Sequence, residues 1–505
     1  MTTPPNIIMI LADDMGYGDV RHLNPDCAFP TPHLDSLARD GMHCTDAHSS
    51  SAVCTPSRYS ILTGRYCWRT WLKSRVLSGI DGPLIEPDRV TVASLLSQAG
   101  YRTACIGKWH LGWNWGTTSA HQQDPGLSPR YGEHLDWIDF HQPISNGPTT
   151  CGFDHFYGIS GSLDMPPYVY VEDDRVEALP SAWAGPGEFV RPGPRQPGLH
   201  AHNVLGHLTD RAVQWIGQQD DQPFFLYFPL TAPHGPIAPA PQFMGLSDVS
   251  PYADFCMEVD HRVGQILETL RRCGQEDNTL VIFTSDNGAS AKPAECAILE
   301  AHYGHHCSQR YRGYKSDIWD GGHRLPFLMR WPSAISAGSR CDTPIGLFDL
   351  IATCAELTGQ QLPDDAGEDS NSFAPALFGR PIDTSRRPEL IHHSIDGRFA
   401  IRQGRWKLCR CPGSGGWTLP DAQARQERLP PVQLYDMDDD PGEQRNHQDQ
   451  QPAVVAELTA ALHRIIMRGR STPGPIVCNH GQPGSDRWPQ VDWISEIPEP
   501  FIIDD

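Results

Sequence analysis

The chain has 505 residues, of which 39% are hydrophobic and 20% are charged, a composition typical of a globular protein. With 40 Lys and Arg against 61 Asp and Glu, the formal net charge at pH 7 is −21. This acidic balance argues against a general nucleic-acid binder, because a phosphate backbone requires a basic face. It is compatible with an anionic substrate held in a local basic pocket. The length favours one large domain and a smaller one.

The start of the chain gives no sign of membrane insertion or export. The early apolar run IIMILA is much shorter than the roughly 20 residues of a membrane-spanning helix. The preceding MTTPPN has no basic segment, so we expect neither a membrane span nor a signal peptide. The location therefore stays open between the cytoplasm and, if a leader has been removed, the periplasm or exterior.

Four short apolar runs end abruptly in polar residues. IIMILADD ends in Asp13 and Asp14, YRTACIGKWHLG in Lys108 and His110, PFFLYFPLTAPHGP in His234, and TLVIFTSDNG in Asp286 and Asn287. Continuous apolar runs of this length are typical of buried parallel strands. Helical patterns lie between them, in TPHLDSLARDGM and in SPYADFCMEVDHRVGQILETLRRCG. This alternation predicts an α/β fold with a large, mostly parallel sheet sandwiched by helices.

The positions of the polar clusters predict where the functional site lies. In sheets of this kind, ligands bind in the crevice beyond the carboxyl ends of the strands. All four polar clusters follow strands at those ends, so we expect their side chains to converge. Two irregular segments, 113–150 and the Pro- and Gly-rich 178–200, either shape the entrance to this crevice or decorate the surface.

The sequence changes character after about residue 380. ELIHHSIDGRFAIRQGRWKLCRC predicts strands separated by turns, and QLYDMDDDPGEQRN adds a further strand and turn. AVVAELTAALHRIIMR follows as an amphipathic helix. We therefore predict a catalytic α/β domain over residues 1–380 and a smaller domain over 381–505. The smaller domain would be an antiparallel sheet with a helix that completes the substrate cleft.

Asp13, Asp14, Asp286 and Asn287 are candidate metal ligands. Adjacent carboxylates repel each other unless a cation lies between them, and hard oxygen ligands favour Ca²⁺ or Mg²⁺. Each pair alone could instead cap a helix or turn, since Asp-Asp and Asp-Asn-Gly are common turn sequences. Two such pairs at strand ends favour the metal site.

Cys54 lies at the predicted start of a helix in SSSAVCTPSRYSILTGRY. Thr55 is the expected cap, Pro56 and Ser57 the first helical residues, and Gly64 the end of the helix. Free N–H groups at a helix start attract anions, and Arg58 lies one turn further in, so the segment suits an oxyanion such as sulfate or phosphate. The thiol could be a nucleophile or purely structural. A Cys-x5-Arg phosphatase loop is excluded, because the residue six positions after the cysteine is serine.

At this point the motifs resemble those of a known family. CTPSR followed by LTGR resembles the signature of the type I sulfatases, in the alkaline phosphatase superfamily, in which Cys-x-Pro-x-Arg directs oxidation of the cysteine to Cα-formylglycine. In chain order, NIIMILADDMGYGD, GKWHLG, GISGS, APHGP, FTSDNG and YRGYKSDIWDGGHR resemble further motifs of that family. The resemblance runs from about residue 6 to LYDMDDDPGE.

This resemblance implies roles for the site residues. Cys54 would be formylglycine, hydrated to a gem-diol that attacks the sulfur of a sulfate ester and also contacts the metal. Ca²⁺, in preference to Mg²⁺, would be held by the candidate ligands named above and by residue 54. Arg58 would help to deprotonate the attacking hydroxyl, and Lys108 and Lys315 would stabilise the negative charge on the sulfuryl group. His234, with Lys315, would protonate or hydrogen-bond the leaving oxygen. His110 would accept the proton whose loss restores the aldehyde. A formylglycine-generating enzyme would be a partner during maturation.

The substrate is less constrained by the sequence. Ser162 in GISGS, Asp164 in the following SLDMPPYVYVEDDR, and His393 and Arg398 in the smaller domain are candidate substrate contacts. These segments resemble bacterial enzymes acting on sulfated sugars, so a hexose or N-acetylhexosamine 6-sulfate is the expected substrate. The alternatives are a broad arylsulfatase, a phosphonate monoester or phosphodiester hydrolase, and a catalytically dead sulfatase-like binding protein. The sequence does not indicate an oligomeric state.

Overall fold

The computed structural model describes residues 4–118, 135–185, 187–481 and 488–496. Its strands are β1 Asn6–Asp13, β2 Met42–Cys44, β3 Ala47–His48, β4 Arg102–Lys108, β5 His155–Ile159, β6 Val171–Glu172, β7 Arg175–Val176, β8 Ala182–Ala184, β9 Gly193–Arg195, β10 Phe224–Pro233, β11 Thr279–Ser285, β12 Phe327–Arg330, β13 Ser339–Cys341, β14 Ile345–Gly346, β15 Glu389–His393, β16 Phe399–Gln403, β17 Trp406–Cys409 and β18 Gln433–Asp436. Its helices are α1 Pro32–Arg39, α2 Cys54–Thr63, α3 Val92–Gln98, α4 Ala201–Gly217, α5 Pro251–Arg272, α6 Cys296–Tyr303, α7 Asp320–His323, α8 Leu350–Thr358, α9 Ala374–Leu377, α10 Asp421–Gln426 and α11 Pro452–Arg468.

The main sheet has ten strands in the order β13-β2-β12-β11-β1-β10-β4-β5-β6-β7. Its five central strands, β11, β1, β10, β4 and β5, run parallel to one another, and β12 joins β11 antiparallel. The carboxyl ends of the five central strands therefore lie at one edge of the sheet. The predicted α/β class with a large, mostly parallel sheet is confirmed.

Strand β1 shows why this sheet is covered on both faces. Ile7, Met9 and Leu11 belong to one buried cluster, which includes residues of α2, α3 and α8. Ile8, Ile10 and Ala12 belong to a second cluster, which includes residues of α1, α4 and α5. Because side chains alternate across a strand, a continuous apolar run is the pattern required for burial on both faces.

A second sheet is formed by β15, β16, β17 and β18, each antiparallel to its neighbour. Helix α11 covers its apolar face, and Tyr66 and Trp68 from the segment after α2 join the same buried cluster. The strand pairing confirms the predicted small antiparallel sheet with a helix, while the boundary at residue 380 stays a prediction. Among the described helices, none combines the length and apolarity required to cross a bilayer.

Three buried histidines lie where the two sheets meet: His48 in β3, His323 in α7 and His392 in β15. His48 donates from Nε2 to Asp46 Oδ1 at 2.6 Å, and its Nδ1 is 3.0 Å from His323 Nδ1. His323 Nε2 is 3.1 Å from Lys407 Nζ, and its ring stacks on that of His392 with centroids 3.7 Å apart. These three residues form a histidine cluster in the interior of the protein.

We expect the histidine cluster to make the fold sensitive to acid. Burial lowers the pKa of all three histidines, for His48 despite its bond to Asp46. Their stabilising effect is present above the unfolded pKa of about 6.5 and is lost as pH falls below it, at about 1.4 kcal/mol per histidine per pH unit. Burial also raises the pKa of Glu443 to about 7, which acts in the opposite direction and offsets roughly one histidine over the same range.

Urea unfolding at pH 7.5, 6.5 and 5.5 tests this expectation. The charged groups around the cluster are Asp46, Asp320, Glu443, Lys407, Arg324 and Arg402, and they are the same in each variant compared. His392→Asn should reduce the fall in unfolding free energy between pH 6.5 and 5.5 by the contribution of one histidine, since one fewer proton is taken up on unfolding. The exposed His302→Asn should leave the fall unchanged, and an equal pH dependence in all three proteins would contradict the assignment.

Candidate active site

The four polar clusters meet at the carboxyl edge of the main sheet. Asp13 ends β1, Asp286 follows β11, His234 follows β10 and Lys108 ends β4. These strands are neighbours in the order β11, β1, β10, β4. The predicted convergence at one edge is therefore present.

The chain turns sharply just beyond two of these strands. Asp14, directly after β1, has φ 68°, and His110, two residues after the end of β4, has φ 57°. Both lie in the left-handed region, where a residue other than glycine costs on the order of 1 kcal/mol or more and which is enriched at functional sites. The turns carry the side chains of residues 14 and 110 away from the strand direction.

Two buried lysines each bind one of the adjacent aspartates. Lys108 Nζ lies 2.7 Å from Asp13 Oδ2, and Lys315 Nζ lies 2.7 Å from Asp14 Oδ2. Burial alone would raise the pKa of Asp13, but the charges led by Lys108 hold that pKa well below its ordinary value. Burial alone would lower the pKa of Lys315, but the carboxylate of Asp14 keeps it above its ordinary value. Asp13 is therefore held as a carboxylate and Lys315 as an ammonium group.

Arg58 links the acidic pairs at the ends of β1 and β11. Its Nε and Nη2 donate to Asp286 Oδ2 at 2.9 and 2.7 Å, and Nη2 lies 3.5 Å from Asp13 Oδ1. Nη1 donates to the carbonyl oxygen of Lys108 at 2.9 Å. The guanidinium is completely buried, so its removal would leave uncompensated charges in the interior.

Helix α2 presents Cys54 to this group of charges. The helix begins at Cys54 with Val53 as its cap, two residues before the predicted cap at Thr55. Thr55 Oγ1 instead accepts the backbone N–H of Leu77. Gly64 ends the helix at φ 65°, as predicted.

Cys54 is suited to be a protonated thiol or a modified residue. All ten residues of α2 are buried, and Cys54 is only 2% exposed. Burial raises the pKa of its thiol, although Lys108 and Lys315 act in the opposite direction. A thiolate nucleophile would require the reverse shift, so the surroundings of Cys54 disfavour the thiolate alternative.

His110 and His234 both place a ring nitrogen at the site, but His110 is completely buried and His234 is partly exposed. His110 Nε2 donates to the carbonyl oxygen of Leu77 at 2.8 Å, while its buried Nδ1 has no partner among the described residues. Burial, followed by Lys108 and Arg58, holds the pKa of His110 well below its ordinary value, so Nδ1 carries a free lone pair. His234 donates from Nδ1 to Gly235 and keeps Nε2 3.7 Å from Asp14 Oδ2.

The acidic cluster has the donor set of a cation site. Ligand atoms of Asp13, Asp14, Cys54 and His234 lie within 4.8 Å of one another. Asp13 Oδ1 and Asn287 Oδ1 are buried and accept no hydrogen bond among the described residues, which is costly unless a cation occupies the space between them. Buried oxygen acceptors of this kind fit a hard cation such as Ca²⁺.

A cleft of about 760 Å³ opens onto this cluster. It is lined by Asp14, Asp164, Val190, His234, Gly235, Ser290, Ala291, Lys292, Pro293, Tyr314, Lys315, Trp417, Thr418 and Pro420. Asp164 therefore lies in the cleft as expected of a substrate contact, and Val190 brings in the 178–200 segment. Residues 113–118 and 135–150 do not line this cleft, and 119–134 lie outside the described residues. Ser162 is 2% exposed, with a buried Oγ that has no partner in the described chain.

The structure does not bring His393 and Arg398 into the cleft, which corrects their placement as substrate contacts. His393 is 2% exposed and packs edge-on against Phe399, because β15 buries that face of the small sheet. Burial lowers its pKa to about 3. Arg398 Nε instead lies 2.8 Å from Asp421 Oδ2. These residues support the small sheet and its loop.

The part of the small sheet that does reach the cleft is not among the residues predicted from the sequence. The loop between β17 and β18 contributes Trp417, Thr418 and Pro420 to the lining. Its sequence, GSGGWTLP, contains a single large aromatic residue in a Gly-rich segment. That isolated tryptophan is the feature of the sequence from which a contact with the cleft could have been predicted.

Comparisons with known proteins extend over most of the chain. Residues 5–360 match the family profile described as Sulfatase. The chain is 31% identical over 510 residues to the N-acetylgalactosamine-6-O-sulfatase of Bacteroides thetaiotaomicron, covering 92% of this chain and 93% of that protein. It is 32% identical to arylsulfatase A of Bos taurus, with 92% and 87% covered. A structure solved in work on the metabolism of multiple glycosaminoglycans by Bacteroides thetaiotaomicron has a TM-score of 0.79 and 29% identity, covering 92% of this chain and 99% of that one.

Proposed function

Because the chain belongs to the sulfatase family and is a sulfuric ester hydrolase, we propose that it removes the 6-sulfate of an N-acetylhexosamine or related hexose. The observation that carries this proposal is the arrangement around Cys54. Lys108, Lys315 and Arg58 are fixed by carboxylates beside the start of α2 and beneath an open cleft. The similarity to the N-acetylgalactosamine-6-O-sulfatase over 92% of the chain supports the choice of sugar.

The donor set fits the metal expected of the family. Asp13, Asp14, Asp286 and Asn287 would hold the ion, and we propose Ca²⁺ because all four offer hard oxygen atoms. A bound divalent cation supplies positive charge for a sulfate oxygen and for the nucleophile. The orphaned acceptors Asp13 Oδ1 and Asn287 Oδ1 are the features of the site that favour this assignment.

Formylglycine at position 54 is also part of the proposal. Its hydrate would supply one hydroxyl as the nucleophile and a second hydroxyl whose loss of a proton re-forms the aldehyde and expels inorganic sulfate. Since Cys54 through Thr63 are all buried, a formylglycine-generating enzyme would have to read CTPSR before α2 packs into the core. We therefore propose that maturation precedes folding of this helix.

The remaining residues are placed for charge and proton handling. Lys108 and Lys315 would stabilise the negative charge of the sulfuryl group as the ester bond breaks. His234 lines the cleft with Nε2 directed towards Asp14, and would deliver a proton from Nε2 to the leaving oxygen. His110 would accept a proton at its unpartnered Nδ1, held in that orientation by the bond from Nε2 to Leu77.

A panel of esters tests the proposed substrate. We expect N-acetylgalactosamine 6-sulfate to be hydrolysed with a kcat/KM about 100-fold above that for the 4-sulfate of the same sugar. The two isomers have the same charge and ring, so the difference isolates the position of the ester. Faster turnover of 4-nitrophenyl sulfate than of any saccharide would instead indicate a broad arylsulfatase. Faster turnover of an aryl phosphonate or phosphodiester would contradict sulfatase specificity.

A further inference from the structure

Trp417 is an unusually exposed aromatic residue in the wall of the catalytic cleft. Its side chain is 59% exposed, and it lines the same cavity as Asp14, His234 and Lys315. An indole in the wall of a cleft offers a ligand a large, flat apolar surface with a polar N–H at one end. The site described above does not require this residue.

The backbone that carries Trp417 is fixed to the segment that carries Lys315. Trp417 N–H donates to Ser316 Oγ at 3.0 Å, and Thr418 N–H donates to Asp317 Oδ1 at 3.2 Å. Gly416 packs so closely that an added Cβ would lie 2.4 Å from the carbonyl oxygen of Ser316. The backbone at Trp417 is therefore fixed beside the segment that carries Lys315.

The base of the loop is equally constrained. Ser414 O accepts the N–H of Ile318 at 2.7 Å, and Ser414 Oγ accepts the N–H groups of Gly416 and Leu419. Ser414 N–H in turn donates to the carbonyl oxygen of Leu419 at 2.8 Å. Because this loop is already held by these bonds, little backbone entropy is lost when a ligand binds to it.

A polar group in the same cleft complements this apolar surface. Asp164 receives Arg191 Nη1 on Oδ2 at 2.7 Å, while its buried Oδ1 has no hydrogen-bond partner within the described chain. The Asp164 side chain is 16% exposed and lines the cleft, so its carboxylate can accept a hydrogen bond from a ligand hydroxyl. The cleft thus combines the exposed indole of Trp417 with the partly exposed carboxylate of Asp164, next to Lys315 and His234.

We propose that Trp417 binds the nonpolar face of the pyranose ring that bears the sulfate, while the carboxylate of Asp164 accepts a hydrogen bond from a hydroxyl of that ring. A pyranose has a face of C–H groups and a rim of hydroxyls, which matches this combination. This inference rests on the proposed function, since it assumes a saccharide ester. It makes Trp417 a specificity-determining residue supplied by the smaller sheet.

Steady-state kinetics on N-acetylgalactosamine 6-sulfate tests the proposal. Trp417→Ala should raise KM about tenfold with kcat nearly unchanged, because the ring contact is the same in the ground and transition states. Trp417→Phe should retain most of the affinity. The inhibition constant of inorganic sulfate, which has no ring, should stay within about twofold in both variants.

Trp183→Ala is the matched control. Trp183 is 63% exposed, like Trp417, but does not line the cleft, so its KM should equal that of the wild type. Affinity measured by calorimetry in a Cys54→Ala background should show the same loss for Trp417→Ala without any contribution from turnover.

The outcomes distinguish failure of the Trp417 contact from failure of the proposed function. A wild-type enzyme that hydrolyses the saccharide, with KM unchanged in Trp417→Ala, overturns the Trp417 contact and leaves the proposed function intact. An equal rise in KM for Trp417→Ala and in the sulfate inhibition constant also overturns it, since that result indicates a disturbed charged site. A wild-type enzyme active on other sulfate esters and inactive on every sulfated saccharide overturns the proposed function, and the Trp417 contact with it.

Discussion

Replacement of Cys54 by alanine is expected to lower kcat by at least about 10⁵-fold, since an unactivated water cannot replace the lost nucleophile. Cys54 is the first residue of α2 and lies among Lys108, Lys315 and Asp13. An alanine fits the same buried space with the loss of one sulfur atom, so the fold should persist. The measurement is turnover of a sulfate ester, with thermal unfolding to confirm that the variant is folded.

Two comparisons make the Cys54 result specific. Cys273 is exposed at the end of α5, and Cys273→Ala should retain full activity. Peptide mass spectrometry of residues 49–66 of protein matured in a competent host should show an aldehyde at position 54. Full activity of Cys54→Ala, or full activity of a preparation that carries only unmodified cysteine, would contradict the assignment.

Replacement of Asp14 by asparagine should lower kcat/KM by about 10³-fold or more, because the change affects three partners at once. Asp14 accepts Lys315 and Asn287 and lies 3.7 Å from His234. Without the carboxylate, the ammonium group of Lys315 remains buried without its counter-charge, at a cost of several kcal/mol. The cation site also loses one of its anionic ligands.

Calcium-dependent thermal stability separates the metal role of Asp14 from a purely structural one. A ligand that binds the folded state stabilises it by RT ln(1 + [L]/Kd), so the wild type should gain stability as Ca²⁺ is added after chelation. Asp14→Asn should require a much higher Ca²⁺ concentration for the same gain. The surface carboxylate Asp220, paired with Arg102, provides the control Asp220→Asn, which should behave as wild type. An unchanged Ca²⁺ response in Asp14→Asn would exclude it as a ligand.

The small sheet contributes to the cleft in a different way from the one expected. The sequence pattern suggested that strand residues His393 and Arg398 reach the substrate. In the structure β15 and β16 pack against the segment around Tyr66 and Trp68, which buries His393. The loop between β17 and β18 extends to the cleft instead, since it is the part of the sheet bonded to Ser316 and Asp317.

Local sequence by itself determined the buried strands, the CTPSR motif and the prediction of sulfate ester hydrolysis. Strands such as IIMILAD and TLVIFTS are apolar on both faces, a property of the residues that requires burial between two layers. Parallel strands expose their carboxyl ends at one edge, so Asp13, Lys108, His234 and Asp286 could be predicted to meet from their positions alone. The five consecutive residues CTPSR were sufficient to show the resemblance to the type I sulfatases.

The tertiary structure alone decided which side chains pair and which face the cleft. That Arg58 binds Asp286 rather than lying on a helix surface depends on α2 being buried on every side. That Asp164 and Trp417 share a cavity depends on a loop 253 positions away in the chain being pinned beside Lys315. Periodicity and propensity act over a few residues, whereas these contacts are fixed by the packing of two sheets. No local pattern encodes the distance between them.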